Sequence, residues 1–336
     1  MPARKRVTAA DVARSLGISR ATVGFVLNNT PGQTISEPTR RRVLDEAARL
    51  GYRPHRAAAA LASGRTRIIL LVLPDWPMEH ALQSHVDEAS RVLEEAGYSL
   101  VTTTRRPGRA ARPLWETLEP DVVVAMTAFS EDEVASLERA RIRAVIPGAS
   151  TLSPTDEGAE DLELHFAEGP RLQVETLLAR GRRRLAFAAL GEPRLAELVA
   201  AREALARRTI EGAPNAELVD SRPFSPEDDR ASHEELVRSW VAKGVDGVVA
   251  YNDVSAALVA GAALRTGIRI PEQLAIIGHD DAPLASLSVP GITTIHVDNR
   301  GLGRFLAQLA LREAGEDVGE IREPESVIRL IDRETA

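Results

Sequence analysis

The sequence predicts a small all-α domain at the N-terminus, followed by an α/β core of two doubly wound subdomains. Three observations lead there. Residues 7–50 hold three short amphipathic stretches, each opened by a hydroxyl residue. From Arg67 onward, short continuous apolar runs alternate with helical patterns, as in a parallel sheet covered on both faces. The charge splits at the same place. Residues 1–67 hold 13 Lys/Arg against 4 Asp/Glu, the rest of the chain 29 against 45, within an overall formal charge of −7.

Residues 7–28, VTAADVARSLGISRATVGFVLN, read as two helices with a tight turn. Thr8 caps the first, with Asp11 at the reciprocal capping-box spacing. Val12, Ala13 and Leu16 form its apolar face, and Gly17 supplies the left-handed residue that a sharp turn needs. Ser19 caps the second helix, whose buried face is Val23, Val26 and Leu27. This is the helix-turn-helix pattern, in which the start of the second helix enters the DNA major groove. Here that start is Arg20, Ala21 and Thr22. Ser36 caps a third helix over 37–50, with Pro38 in its first turn, where a missing N–H is harmless. Val43, Leu44, Ala47 and Leu50 share one face, and Gly51 closes the helix. Residues 55–62, HRAAAALA, are rich in the best helix former, yet such a segment is too short to persist as a helix alone.

In the body, IILLVLP reads as a buried strand, HALQSHVDEASRVLEEAG as a helix and YSLVTTT as a strand. DVVVAM, RAVIPG, RLAFAAL, GVVAYN and LAIIGHD are further strands. RLQVETLLARG and DVSAALVAGAALRTG are helices between them. Such a sheet places a cleft at the carboxyl ends of its strands. Apart from the Ala run at 57–60 there is no repeat or low-complexity tract.

Composition narrows the chemistry. A chain of 336 residues suffices for two or three domains. It has no cysteine, so no disulfide, thiolate or zinc–cysteine site is expected. No secretory segment and no run of about 18 apolar residues appears, which predicts a cytoplasmic protein without membrane contact. Lys occurs only at positions 5 and 243 among the 42 basic residues, and this Arg and Ala bias reflects codon usage in a GC-rich genome, not function. No GxSxG, Walker A or HExxH segment occurs, and GLG at 301–303 lacks the context of a dinucleotide site. His80 and His85 are five apart, off a common helical face, and read as solvated histidines rather than metal ligands. No catalytic residue, metal or cofactor is expected. The basic head is the footprint of a domain that meets phosphate.

The DVA…LGIS…TV…VLN block, the GYRPHR segment and the Leu61–Ala62 pair, followed by an α/β body, resemble the LacI family of transcriptional regulators. The likeness continues through RGRRRLAF, through residues 247–281 and through PGITTIHVDNRGLG. It implies an all-α helix-turn-helix DNA-binding domain (1–54), a hinge helix and linker (55–66) and a periplasmic-binding-protein-like core (67–336). The core would divide into about 67–164 with 296–322, and 165–295 with 323–336. It also implies that Arg20 and Ala21 face base edges. Arg20 pairs bidentately with guanine, worth about 1–3 kcal/mol, or else holds a phosphate. Ala21 meets only a thymine methyl. Thr8, Ser19, Thr22, Asn28, Ser36, Thr39 and Tyr52 match positions that hold the backbone and set register. Leu61 matches a minor-groove wedge, with His55, Arg56 and Ala58 beside it, or else anchors the linker. Where the family often shows Ser-Arg, this chain has Gly24-Phe25, which alters the expected operator sequence. The chain carries no appended Leu heptad, which favours a dimer over a coiled-coil tetramer.

For the cleft, Asn252, Asp253 and Asp280 fall just after apolar strands, where amides and carboxylates suit sugar hydroxyls. Asp253 and Asp281 serve equally as caps of the helices that follow. The family's cleft arginine has no clean counterpart: Arg194 or Arg202 takes its role, and Glu197 stands near its position. The loop PDWPM replaces an Asn-Pro-Phe-like segment, so Trp76 either stacks on a ligand ring or packs within its loop. The leading expectation is a ligand-responsive repressor that binds a pseudo-palindromic double-stranded operator as a homodimer, its effector a sugar or related polar metabolite. The alternatives are a sugar-binding protein, or a sugar-modifying enzyme with a fused head.

Overall fold

The computed structural model describes residues 7–27, 32–52, 65–106, 112–146, 169–322 and 328–336. The chain divides into two units, Met1–Arg67 and Ile68–Ala336.

In the first unit, α1 (Ala9–Leu16), α2 (Arg20–Leu27) and α3 (Glu37–Leu50) have the expected order. The Thr8 N–H and hydroxyl both donate to the Asp11 carboxylate, at 2.9 and 2.7 Å. Gly17 and Gly51 close α1 and α3 at φ 68° and 69°. Thr22 N–H donates to Ser19 Oγ at 3.0 Å, so Ser19 caps α2. Ser36 sits at the α3 N-cap, but its hydroxyl pairs with that of Thr39 at 2.9 Å and caps no backbone N–H. Val12, Ala13, Val23, Val26, Val43 and Ala47 form the core. Leu44, expected with them, is 48% exposed. It follows Val43 by one residue, a rotation of about 100° that carries it off the buried stripe. The Glu46 carboxylate ties α1 to α3. It accepts from the Ser15 hydroxyl and from Arg49 Nε at 2.7 Å, and these bonds hold its pKa at about 2.

The second unit holds two sheets. The first is all parallel, in the order β2 (Ser99–Thr104), β1 (Ile68–Leu73), β3 (Val122–Ala125), β4 (Arg143–Val145). Side chains alternate across β1. Ile69, Leu71 and Leu73 face α4 (His80–Glu95) and α12 (Asn299–Glu313), whereas Leu70 and Val72 face Trp115, Phe129 and Leu137. That two-sided burial is why the strand reads as an unbroken apolar run. Two further helices, α5 (Trp115–Leu118) and α6 (Glu131–Ala140), belong to this half.

The second sheet runs β10 (Ile328–Ile331), β9 (Thr293–Val297), β8 (Ala275–His279), β7 (Gly247–Ala250), β5 (Arg184–Leu190), β6 (Glu217–Phe224). All neighbours are parallel except β10, which lies antiparallel to β9. Its helices are α7 (Gly169–Ala179), α8 (Ala196–Glu211), α9 (Arg230–Ala242), α10 (Asp253–Arg265) and α11 (Pro283–Leu287). One face packs on Trp240, Val237 and the small residues of α10, the other on α7 and α8. After β9 the chain leaves this sheet at Asp298, whose carboxylate caps α12 through Gly301 N–H at 2.8 Å. α12 then packs on α4 in the other half.

Gly303 permits that packing. A Cβ there would lie 2.3 Å from the His85 carbonyl oxygen. The GLG segment is thus a close helix crossing. Gly303→Ala should lower stability by about 1–3 kcal/mol through overpacking, read as a drop in the urea midpoint at unchanged slope. An unchanged midpoint would mean that α12 and α4 are not held at this separation.

Candidate functional site

Two surfaces carry candidate residues, one in each unit. In the head, the first turn of α2 leaves Ser19, Arg20 and Ala21 exposed. Arg20 makes no ion pair among the described residues, so its guanidinium is available to a ligand. Thr22 is half-buried, with its hydroxyl 2.8 Å from that of Ser19. Thr8 is exposed beside Asp11, and Ser36 and Thr39 are paired with each other. The Tyr52 ring packs on the head's core. Phe25 is half-buried and outside that core. Asn28, His55, Arg56, Ala58 and Leu61 lie outside the described residues.

In the core, the carboxyl ends of both sheets face a cleft that is partly open to solvent. Its polar floor is built from α8 and β8. Arg202, 5% exposed, donates from Nη1 to the Tyr251 carbonyl at 2.7 Å and from Nη2 to Asp280 Oδ1 at 3.4 Å. Its guanidinium also stacks 4.6 Å from the Tyr251 ring centroid. Asp280 sits at φ 91° and lies 2.6 Å from His279 Nδ1. Burial raises the Asp280 carboxyl, but Arg202 beside it prevails and holds the group well below the usual carboxylate range. Burial lowers the His279 pKa. The His279 ring is sealed against Gly169, where a Cβ would come within 1.8 Å of Nε2.

The other wall comes from the first sheet. Trp76, after β1, lines the cleft and packs against the core clusters of both halves. Glu79, also on this wall, lies within 3.4 Å of Asn252 Nδ2 across the cleft. Burial, with Asp280 nearby, raises its pKa. His85 lines the same wall at 6% exposure, and burial lowers its pKa to about 4. The reading of His85 as solvated is therefore corrected: it follows Leu82 by three residues and precedes Ala89 by four, on the inward stripe of α4.

The expected cleft residues divide. Trp76 and Asp280 line it, and Asn252 borders it through Glu79. Asn252 also caps α10, its Oδ1 accepting from Ser255 N–H at 3.0 Å. Asp253 is 1% exposed, and both its oxygens are taken, one by the Thr294 hydroxyl and one by Ala282 N–H at 2.7 Å. Burial raises its pKa to about 7. It is a tether between α10 and the loop after β8, away from the cleft lining. Asp281 pairs with Arg333 at 2.7 Å. Arg194 is corrected too: it is exposed, holds Glu192 at 2.9 Å and does not line the cleft. Arg202 supplies the cation from a later turn of the same segment. Among the described residues no group of three His, Asp or Glu is arranged to hold a metal ion, and no helix is long and apolar enough to cross a membrane.

Known proteins show the same two-part organisation. The model of bacterial regulatory proteins of the lacI family matches residues 8–55, and that of a periplasmic binding protein-like domain matches residues 174–336. The chain is similar to the ribose operon repressor of Bacillus subtilis (strain 168), 30% identical over 317 residues that cover 90% of each chain. In structure it is similar to the lac repressor dimer bound to operator and the anti-inducer ONPF. There the TM-score is 0.76 at 23% identity, covering 98% of this chain and 99% of that one. It is also similar to the transcriptional regulator CelR–cellobiose complex, with TM-score 0.60 and 25% identity, covering 98% of this chain and all of that one, 100%. The chain belongs to the LacI family of bacterial regulatory proteins and is a DNA-binding transcriptional regulator.

Proposed function

We propose that this protein is a cytoplasmic repressor that binds a pseudo-palindromic operator as a homodimer and releases or tightens it when a sugar-like metabolite enters the cleft. The observation that carries the reading is one chain holding both surfaces: an exposed Arg20 at the start of α2, and a cleft floored by Arg202 and Asp280. The ribose operon repressor and the CelR–cellobiose complex support a sugar-like effector. The apolar edge of Trp76 and the charged floor suit a ligand with a C–H face and hydroxyls. Leu287 and Val289, 77% and 90% exposed, suit a surface that a second copy covers. Residues 55–66 act as the hinge, and the core works as two halves, 67–164 with 296–322 and 165–295 with 323–336. Ligand and operator then alter each other's affinity by the same factor.

The reading is tested by fluorescence anisotropy of a labelled operator during titration with a sugar panel. Binding to all duplexes alike at physiological salt, or no response to any sugar, would count against it. Within that assay, Arg20→Ala should relax the choice at one base pair per half-site, with about 1–3 kcal/mol of discrimination lost. A uniform loss across all sequences would instead make Arg20 a phosphate contact.

Leu61→Ala should reduce operator bending in a gel-mobility assay and lower specific affinity by about 1–3 kcal/mol, since the wedge offsets unstacking. An unaltered bend would leave residues 55–62 as a plain linker.

In the cleft, Asp280→Asn removes the charge opposite Arg202 at nearly constant shape. The effector midpoint should rise by about tenfold or more, the scale of a lost hydrogen bond to a charged group. A mutant that responds at the wild-type midpoint would place the effector elsewhere.

A further inference from the structure

Among the described residues, the cleft lining holds one more carboxylate than it holds cations. Its charged side chains are Glu79, Arg202 and Asp280, and Arg202 is engaged by Asp280 and the Tyr251 carbonyl. Burial lowers the pKa of both histidines of the lining, His85 and His279, and so works against a counter-charge on either. Glu79 is half-buried on the opposite wall, and among the described residues its one side-chain hydrogen bond is the 3.4 Å contact from Asn252 Nδ2, long for N–H···O. Glu79 stands at the N-cap of α4, yet its side chain takes no backbone N–H of that helix and reaches across the cleft instead. Of its charged neighbours, Asp280 and Glu192 repel it, and only Arg202, already engaged by Asp280, attracts it from a distance without forming an ion pair among the described residues. A half-buried carboxylate so placed gains from a cation, and a neutral ligand that displaced its water would leave it worse off.

A second, independent feature points into the same space. Among the described residues neither ring nitrogen of His85 has a hydrogen-bond partner, although the side chain is 94% buried and lines the cleft. A neutral imidazole offers one donor and one acceptor, the complement of a hydroxyl, which is also both. Trp76, Leu82, Met126 and Val297 supply an apolar surface for the carbon skeleton that carries such groups.

We propose that the cleft selects a small polyhydroxylated amine, such as an amino sugar, with its ammonium group on Glu79 and a hydroxyl on His85. This rests on the cleft being the effector site, and it replaces a neutral sugar by a cationic one. Three N–H donors of the ammonium meet a carboxylate held beside a low-dielectric wall, where a charge-assisted bond is strong. The discrimination lies in the neutral analogue, which leaves Glu79 desolvated and unpaired.

The test uses the full-length protein in phosphate buffer at pH 7 and isothermal titration with matched probes. These are D-glucosamine, D-glucose and N-acetyl-D-glucosamine, then D-galactosamine with D-galactose, and Tris as an acyclic member. At least one aminated probe should bind about tenfold tighter than its neutral counterparts. Glu79→Gln should bring the two affinities together, and Glu79→Asp should keep the preference in reduced form, with circular dichroism melting to confirm folding. Neutral sugars binding as well as or better than the amines would overturn the inference and leave the sugar reading standing. So would an amine preference that survives Glu79→Gln. If no probe of either kind binds the wild type, the effector reading and this inference fail together. The wild-type comparison decides even where a variant does not fold.

Discussion

The buried ion pair of Arg202 with Asp280 is the constraint around which the core is arranged. A guanidinium 5% exposed is tolerated only where every direction offers an acceptor or a π face, and here the Tyr251 carbonyl, the Tyr251 ring and Asp280 provide them. Those partners come from the ends of β7 and β8, so α8 can dock only in one register against the second sheet. Asp280 reaches its position by a left-handed backbone, φ 91°, a conformation that costs about 1–3 kcal/mol in a non-glycine residue and persists only when its surroundings enforce it. The enforcement is visible. Asp280 N–H donates to the Ile295 carbonyl at 2.8 Å, His279 Nδ1 lies against its carboxylate, and Gly169 closes behind the imidazole. Remove the cation, and the strained loop, the buried imidazole and the buried carboxylate all lose their justification at once.

Much of the fold was legible from the order of apolar runs. β1, β3, β5, β7 and β8 are buried on both faces, so each is an unbroken apolar string that composition alone exposes. The strands that escaped notice lack that property. β6 is an edge strand with a register shift opposite Leu185 and Ala186 and a proline at 223, so it is half-buried from Leu218 to Ser221, exposed at Glu217, Arg222 and Pro223, and buried only at Phe224. β9 opens with Thr293 and Thr294, both fully buried. Their hydroxyls are satisfied by partners distant in sequence, Asp253 for Thr294 and the Arg333 N–H for Thr293. No local pattern announces a threonine whose partner lies about forty residues away.

The site was legible to the same extent and for the same reason. Trp76, Asn252 and Asp280 stand at strand ends, where topology alone places a cleft. Arg202 was visible only as an alternative to Arg194, since both lie in one arginine-bearing segment and only the docking of α8 decides between them. Glu79 follows a proline-rich loop with nothing local to mark it, and its significance comes from Asn252, 173 positions away. His85 is a different case. The spacing Leu82, His85, Ala89, Leu93 is a buried helical stripe, and weighing that pattern above the distance to His80 would have placed the imidazole inside.

The connections of the core show how a ligand between the halves can bias the whole. β9 belongs to the second sheet, yet the helix that follows it at once, α12, packs on α4 of the first. Val297 and Asn299, on either side of that crossing, both line the cleft. The Trp76 ring is shared by the cores of both halves, and the Glu79–Asn252 contact spans them. A ligand that touches Glu79 or His85 on one wall and the Arg202–Asp280 floor on the other bridges the two halves, so its interaction free energy depends on their separation. A difference in that free energy is the only quantity by which a ligand shifts an equilibrium between two arrangements. The walls differ in kind. The floor is a neutralised ion pair fixed by strained backbone, whereas Glu79 has no ion-pair partner among the described residues and is held there by one long hydrogen bond. Glu79 stands at the N-cap of α4, and α4 packs on α12, so the second wall is joined directly to the helix that follows the crossing between the halves.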